Sequence, residues 1–157
     1  MLEARELGKG IYALMAYTPP KDNNGVSSVK EVRSWWMSES MARQVQDIIH
    51  RLTDKPIRYL VNTTYHSDHT FGNYAFPQDT TIICSTKNKE SMRDLEADKQ
   101  IHSGNLRGNV AAIANITMWS RPEIIFDPYL AGDLCRQAVQ LCYFGPGNAP
   151  TVRNWSK

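Results

Sequence analysis

No apolar run in the 157-residue chain approaches the roughly 20 residues that a membrane-spanning helix needs, so no membrane partner is expected. Its start, Met1-Leu2-Glu3-Ala4-Arg5-Glu6-Leu7, lacks the basic-then-apolar order of a secretory leader, which makes a cytoplasmic location the default expectation. A basic stripe is missing too: 18 Lys and Arg stand against 16 Asp and Glu, interspersed, for a net charge of +2, so nucleic acid is not an expected partner. There is no CxxC pair, and the three cysteines, Cys84, Cys135 and Cys142, are odd in number. That excludes a disulfide framework and a zinc knuckle, leaving buried thiols as the expectation. Internal repeats and low-complexity tracts are absent, which excludes a solenoid or a linker-like chain. Three glycosylation sequons begin at Asn62, Asn115 and Asn154, but they carry meaning only in a secreted protein.

What is present has the balance of a single soluble domain, 41% hydrophobic and 22% charged. Leu7 to Tyr17 reads as a first strand, and Thr18 to Gly25, rich in Pro, Asn and Gly, as a loop. From Met41 the apolar residues fall at Met41, Val45, Ile48, Ile49 and Leu52, one face of a 3.6-residue period, with Ser38 or Ser40 available as N-cap. Pro56 ends that helix. Ile57 to Val61 and Thr81 to Cys84 read as short buried strands, and Lys87 to Lys99 as a charged helix with Met92 and Leu95 inward. Glu123 to Phe126 and Ala138 to Phe144 read as further strands, while Gly104 to Ala114 is ambiguous. Strands alternating with helices predict a layered α/β domain.

The segment that carries chemistry is Asn62 to Asn73, NTTYHSDHTFGN, at the carboxyl end of a predicted strand. His66, Asp68 and His69 fall within four residues, and zinc accepts both imidazole and carboxylate at about 2.0–2.2 Å. A bound zinc would bring a water's pKa near neutrality and so supply a hydroxide. The same residues also suit a polar loop whose histidines satisfy backbone groups, since three ligands are fewer than a closed zinc site takes.

The stretch Asp54 to Pro77, DKPIRYLVNTTYHSDHTFGNYAFP, resembles the signature strand and loop of the metallo-β-lactamase superfamily, whose motif is HxHxDH. The likeness extends to LGKGIYALMAY before it, and to TIICSTKNKESM and AVQLCYFGPGN after it, where that superfamily has GPGH. It implies a metallo-β-lactamase-like αββα sandwich, incomplete here because the C-terminal half is absent, so that residues 1–157 form one truncated domain. By motif position His66, Asp68 and His69 match metal ligands, and Asp68 is the residue to which catalysis would fall. Thr64 stands at the first histidine position and Asn148 at the GPGH histidine position, and both belong to the same metal. The expectation is at most one zinc ion, held weakly or not at all by the second-site residues Asp68 and His69. No acid or histidine follows Asn148, and His50 and His102 are expected on the surface. Three readings of function follow from the resemblance: an impaired or inactive hydrolase homologue, an active single-zinc hydrolase of an ester, lactam or thioester, and a non-catalytic binding module. A small-molecule substrate is expected only of an active form. A half sandwich would leave a sheet face uncovered, which predicts homo-oligomerisation through it.

One segment opposes this fold. Between Gly25 and Ser38 the superfamily would place two core strands ending in an apolar run and an aspartate, yet the chain reads VSSVKEVRSWWM. Trp and Met each have one codon, so Trp35-Trp36-Met37 fixes its own bases. Starting from the last base of the Ser34 codon, the neighbouring frame gives Leu, Met or Val, then Val, then Asp. Residues 26–37 therefore read either as a frameshifted stretch or as a divergent loop.

Overall fold

The computed structural model describes residues 2–8, 11–16, 23–27, 31–34, 39–65, 67–92, 94–103, 116, 120–134, 137–145 and 152–153. Seven strands form one sheet in chain order: β1 (Leu2–Gly8), β2 (Ile11–Ala16), β3 (Asn23–Ser27), β4 (Glu31–Ser34), β5 (Tyr59–Asn62), β6 (Thr81–Ser85) and β7 (Ile124–Phe126). The first four pair antiparallel and β4 to β7 run parallel. A second sheet holds β8 (Tyr129–Leu134), β9 (Gln137–Cys142) and β10 (Val152–Arg153), all antiparallel, with β9 in the middle. The helices are α1 (Glu39–Leu52), α2 (Ser67–Thr70), α3 (Thr86–Ser91) and α4 (Leu95–Ser103).

The layering follows from side-chain alternation along β5 and β6. Successive strand residues point to opposite faces, and here both faces are buried. Leu60 and Ile82 join Leu14 and the inward stripe of α1, Ala42, Val45, Ile48 and Ile49, in one apolar cluster. Val61 and Ile83 turn the other way and, with Phe126, meet Val139 and Leu141 of β9 in a second cluster between the two sheets. Helix, sheet and sheet thus stack in three layers. Fully burying each such aliphatic side chain contributes about 1.5–3 kcal/mol. Of the expected α1 stripe, Val45, Ile48 and Ile49 are buried, Leu52 in the last turn is exposed, and the Met41 side chain falls outside the described residues.

Several elements differ from the sequence reading. The expected Leu7 to Tyr17 strand is divided: Leu7 and Gly8 end β1, and β2 is the second arm of a hairpin whose first arm, β1, carries Glu3, Arg5 and Glu6 and so resembles a surface segment. The single helix over Lys87 to Lys99 is two helices. The Ser85 hydroxyl caps α3 by accepting from Asn88 N at 3.2 Å, and Asp94 Oδ1 accepts from Ala97 N at 2.8 Å at the start of α4. His102 lies on α4, its side chain outside the described residues. The strand β8 goes undetected in the sequence because Gly132 and Asp133 are poor strand formers. Two strands occupy the segment whose composition opposes them: β3 and β4 pair with each other, and β4 sits beside β5 with Glu31 in register with Tyr59 and Arg33 with Val61. Cys84 is buried as expected, Cys142 is only half-buried, and Cys135 falls outside the described residues, as does the ambiguous 104–114 stretch. No helix among the described residues is long and apolar enough to cross a membrane.

The two-sided burial of β6 generates a test. Ile83→Ala, at the fully buried contact between the sheets, is expected to cost about 2–5 kcal/mol in urea unfolding. Ile125→Ala, on the neighbouring strand but 45% exposed, is expected to cost less than about 1 kcal/mol.

Candidate functional site

Parallel strands end together, and the crevice at their carboxyl ends is where α/β sheets present functional groups. At the end of β5 the chain changes from apolar to polar: Asn62, Thr63 and Thr64 are all buried, as are His69, Thr70 and Asn73 further on and Ser85 and Asn88 from the end of β6. Buried polar groups demand partners, and two asparagines eleven residues apart supply each other. Asn62 Nδ2 donates to Asn73 Oδ1 at 3.1 Å, and Asn73 Nδ2 donates to Asn62 Oδ1 at 2.9 Å. The pair closes the loop like a clip.

The clip reaches further on both sides. Asn62 Nδ2 also donates to the His69 carbonyl at 3.2 Å, holding the backbone of α2, and Asn73 Nδ2 donates to the Ser120 carbonyl at 3.2 Å. Asn88 Nδ2 donates to the Asn62 carbonyl at 3.4 Å, tying β5 to the first turn of α3. Thr80 and Glu123 brace the opposite end of the strands, through Thr80 Oγ1 to the Ile57 carbonyl at 3.0 Å and Ile82 N to Glu123 Oε2 at 3.3 Å.

Within the clipped loop, His69 lies on α2 and Thr64 just beyond β5, each 8% exposed. Asp68 is also on α2, but its side chain, His66 and Asn148 fall outside the described residues. Of the three expected metal ligands, His69 alone has a described side chain. Among the described residues no three His, Cys, Asp or Glu gather where they could hold a metal ion. Of the expected donor set, the described part is the buried His69 imidazole and, at a position the resemblance gives to a histidine, the neutral Thr64 hydroxyl. His50, on α1, is exposed, as expected.

The sequence reading missed the asparagine clip and Asn88. Their signal was faint: a polar residue closing an apolar strand at Asn62, and Gly72-Asn73 closing the motif loop. It did place Cys84 as a buried thiol. Burial pushes its pKa up to about 12, against the opposing influence of the Lys89 charge and a Lys89 backbone hydrogen bond.

Comparison with solved structures gives the fold a name. The metallo-β-lactamase from Pontibacter korlensis superposes with a TM-score of 0.64 at 16% identity, covering 97% of this chain and 65% of that one. The metallo-β-lactamase FIM-1 from Pseudomonas aeruginosa, in its mono-zinc form, gives 0.63 at 13% identity over 97% of this chain and 64% of that one. The stereoselective inverting sec-alkylsulfatase Pisa1 from Pseudomonas sp. gives 0.67 at 14% identity, over 90% of this chain and 27% of that one. The chain therefore has the metallo-β-lactamase fold, in partial form, and it resembles that superfamily. It spans 27% to 65% of the length of these three structures. No protein-family model matches it, and no curated protein does.

Two expectations follow. Asn73→Leu and Asn62→Leu each strand a buried amide and are expected to cost about 2–3 kcal/mol in urea unfolding. The double variant is expected to cost less than their sum by about 1 kcal/mol or more, which a double-mutant cycle reads directly. In the folded protein at pH 8, a thiol reagent is expected to leave Cys84 unmodified and to label it on denaturation. Because its folded pKa is raised, stability is expected to fall as pH climbs from about 9 towards 12, where the unfolded thiol ionises and the folded one does not.

Proposed function

We propose that the chain is a metallo-β-lactamase-fold homologue of metal-dependent hydrolases whose metal-binding and hydrolytic capacity is impaired by the loss of first-site ligands. The observation that carries this reading is Thr64: it is buried at the carboxyl end of β5, the position the resemblance gives to a metal-binding histidine, and offers a neutral hydroxyl instead. Asn148 makes the corresponding replacement at the GPGH position. What remains of the motif, His66, Asp68 and His69, would hold at most one zinc ion, weakly. Zinc, when bound, supplies a hydroxide nucleophile near neutral pH; a neutral hydroxyl in place of an imidazole weakens the hold on it.

The position of β4 supports a disrupted origin for the segment 26–37. Strands buried on both faces read as near-continuous apolar runs, and β4 lies between β3 and β5 with the sequence Glu-Val-Arg-Ser. It pairs in register with β5, Arg33 opposite Val61. An out-of-frame stretch accounts for a charged sequence in an inner strand of the sheet, and the neighbouring frame encodes a Val-Asp strand end. The nucleotide sequence decides it: a stop codon in that frame within the stretch ends the proposal.

Two other readings stay in view of the test. An active single-zinc hydrolase would act on an ester, lactam or thioester. A binding module finds support in a groove of about 330 Å³ beside the clip, lined by Asn73, Tyr74, Phe76, Arg121 and Glu123 among others, which is at the lower end of small-molecule sites.

Metal analysis separates them. Protein purified and dialysed against buffer is expected to carry well under one zinc per chain. Thr64→His combined with Asn148→His, which returns two imidazoles beside His66, is expected to raise zinc affinity tenfold or more. One firmly retained ion in the unaltered chain, lost on His69→Ala and accompanied by turnover of an ester or lactam, would overturn the reading in favour of the active enzyme.

A further inference from the structure

Thr63 stands between the clip residue Asn62 and the replaced ligand position Thr64. It is 3% exposed, and its Oγ1 is the one buried side-chain nitrogen or oxygen among the described residues with no hydrogen-bond partner in the protein. Leaving a buried hydroxyl unmade costs a factor of roughly five to a hundred in the folding equilibrium, so such a group calls for a partner from outside the chain.

The surroundings say what kind. The parallel register runs Tyr59 with Thr81, Leu60 with Ile82 and Val61 with Ile83. Thr63 and Ser85 each follow two residues after the last of these pairs, Thr63 just past the end of β5 and Ser85 closing β6. The Ser85 hydroxyl accepts from Asn88 N and keeps its own proton free to donate, and it is 1% exposed. The neighbouring Asn62 carbonyl accepts from Asn88 Nδ2. These groups are uncharged hydroxyls, amides and carbonyls, a setting for a neutral oxygen rather than a cation. A buried water takes two to four such partners and is a regular part of folded proteins.

We propose that Thr63 Oγ1 holds a buried water at the carboxyl ends of β5 and β6, with Ser85 Oγ as its second protein partner. The water completes the polar floor beneath the loop that carries His66, Asp68 and His69. This site stands on the strand register and the unpaired hydroxyl, and metal content has no part in it.

The test turns on a sign. Thr63→Val keeps the branched shape and deletes the hydroxyl. If a water is held, the variant's folding equilibrium constant falls about tenfold in urea titration. If the hydroxyl is a true orphan, its removal leaves stability unchanged or raises it, and the proposal is overturned. Should Thr63→Val not fold, the unaltered protein answers by NMR. A long-lived water whose protons give cross-relaxation peaks to the Thr63 and Ser85 amides supports the site, and the lack of such peaks in a folded, assigned spectrum refutes it. Neither readout depends on zinc, so failure of the impaired-hydrolase reading leaves this test intact.

Discussion

The structure depends on β5 and β6 being buried on both faces. Leu60 and Ile82 are held by α1, and Val61 and Ile83 by the second sheet. Because side chains alternate with a period of two, slipping either strand by one residue would exchange these two sets and unmake both clusters at once. The register is thereby fixed from two sides, and with it the height at which the chain leaves β5. Everything polar that follows, from Asn62 to Asn73, takes its position from that apolar constraint.

The clip then converts a fixed strand end into a fixed loop. Asn62 and Asn73 bond reciprocally, and Asn62 also reaches the His69 carbonyl, so the backbone carrying the imidazole is held by amide groups. A loop held in this way has a source of order other than the cation that the resemblance of its motif implies. The impairment proposed above and a preserved scaffold are compatible for this reason.

How much of this was legible in the sequence differs by element. The α1 face was plain because Val45, Ile48 and Ile49 recur at helical spacing, and β6 because Thr81 to Cys84 is a short apolar run between polar flanks. The break between α3 and α4 was hidden, since two local caps at Ser85 and Asp94 outweigh a helix-compatible composition. Around β3 and β4 the local sequence argues against strands, and tertiary pairing with β2 and β5 prevails. Within the site, the spacing of Thr64, His66, Asp68 and His69 was visible from the motif. The Asn62–Asn73 pair was not, because a contact between residues eleven apart leaves no periodic trace. Thr63 was hidden for a simpler reason: a threonine at a strand end is ordinary until its burial is known.

The groups that set the shape of the loop are primary amides, which neither gain nor lose a proton across the range in which proteins stay folded. Carboxylate or imidazole struts in the same places would loosen or tighten as the medium turned acidic or alkaline. The Asn62–Asn73 clip is accordingly indifferent to acidity.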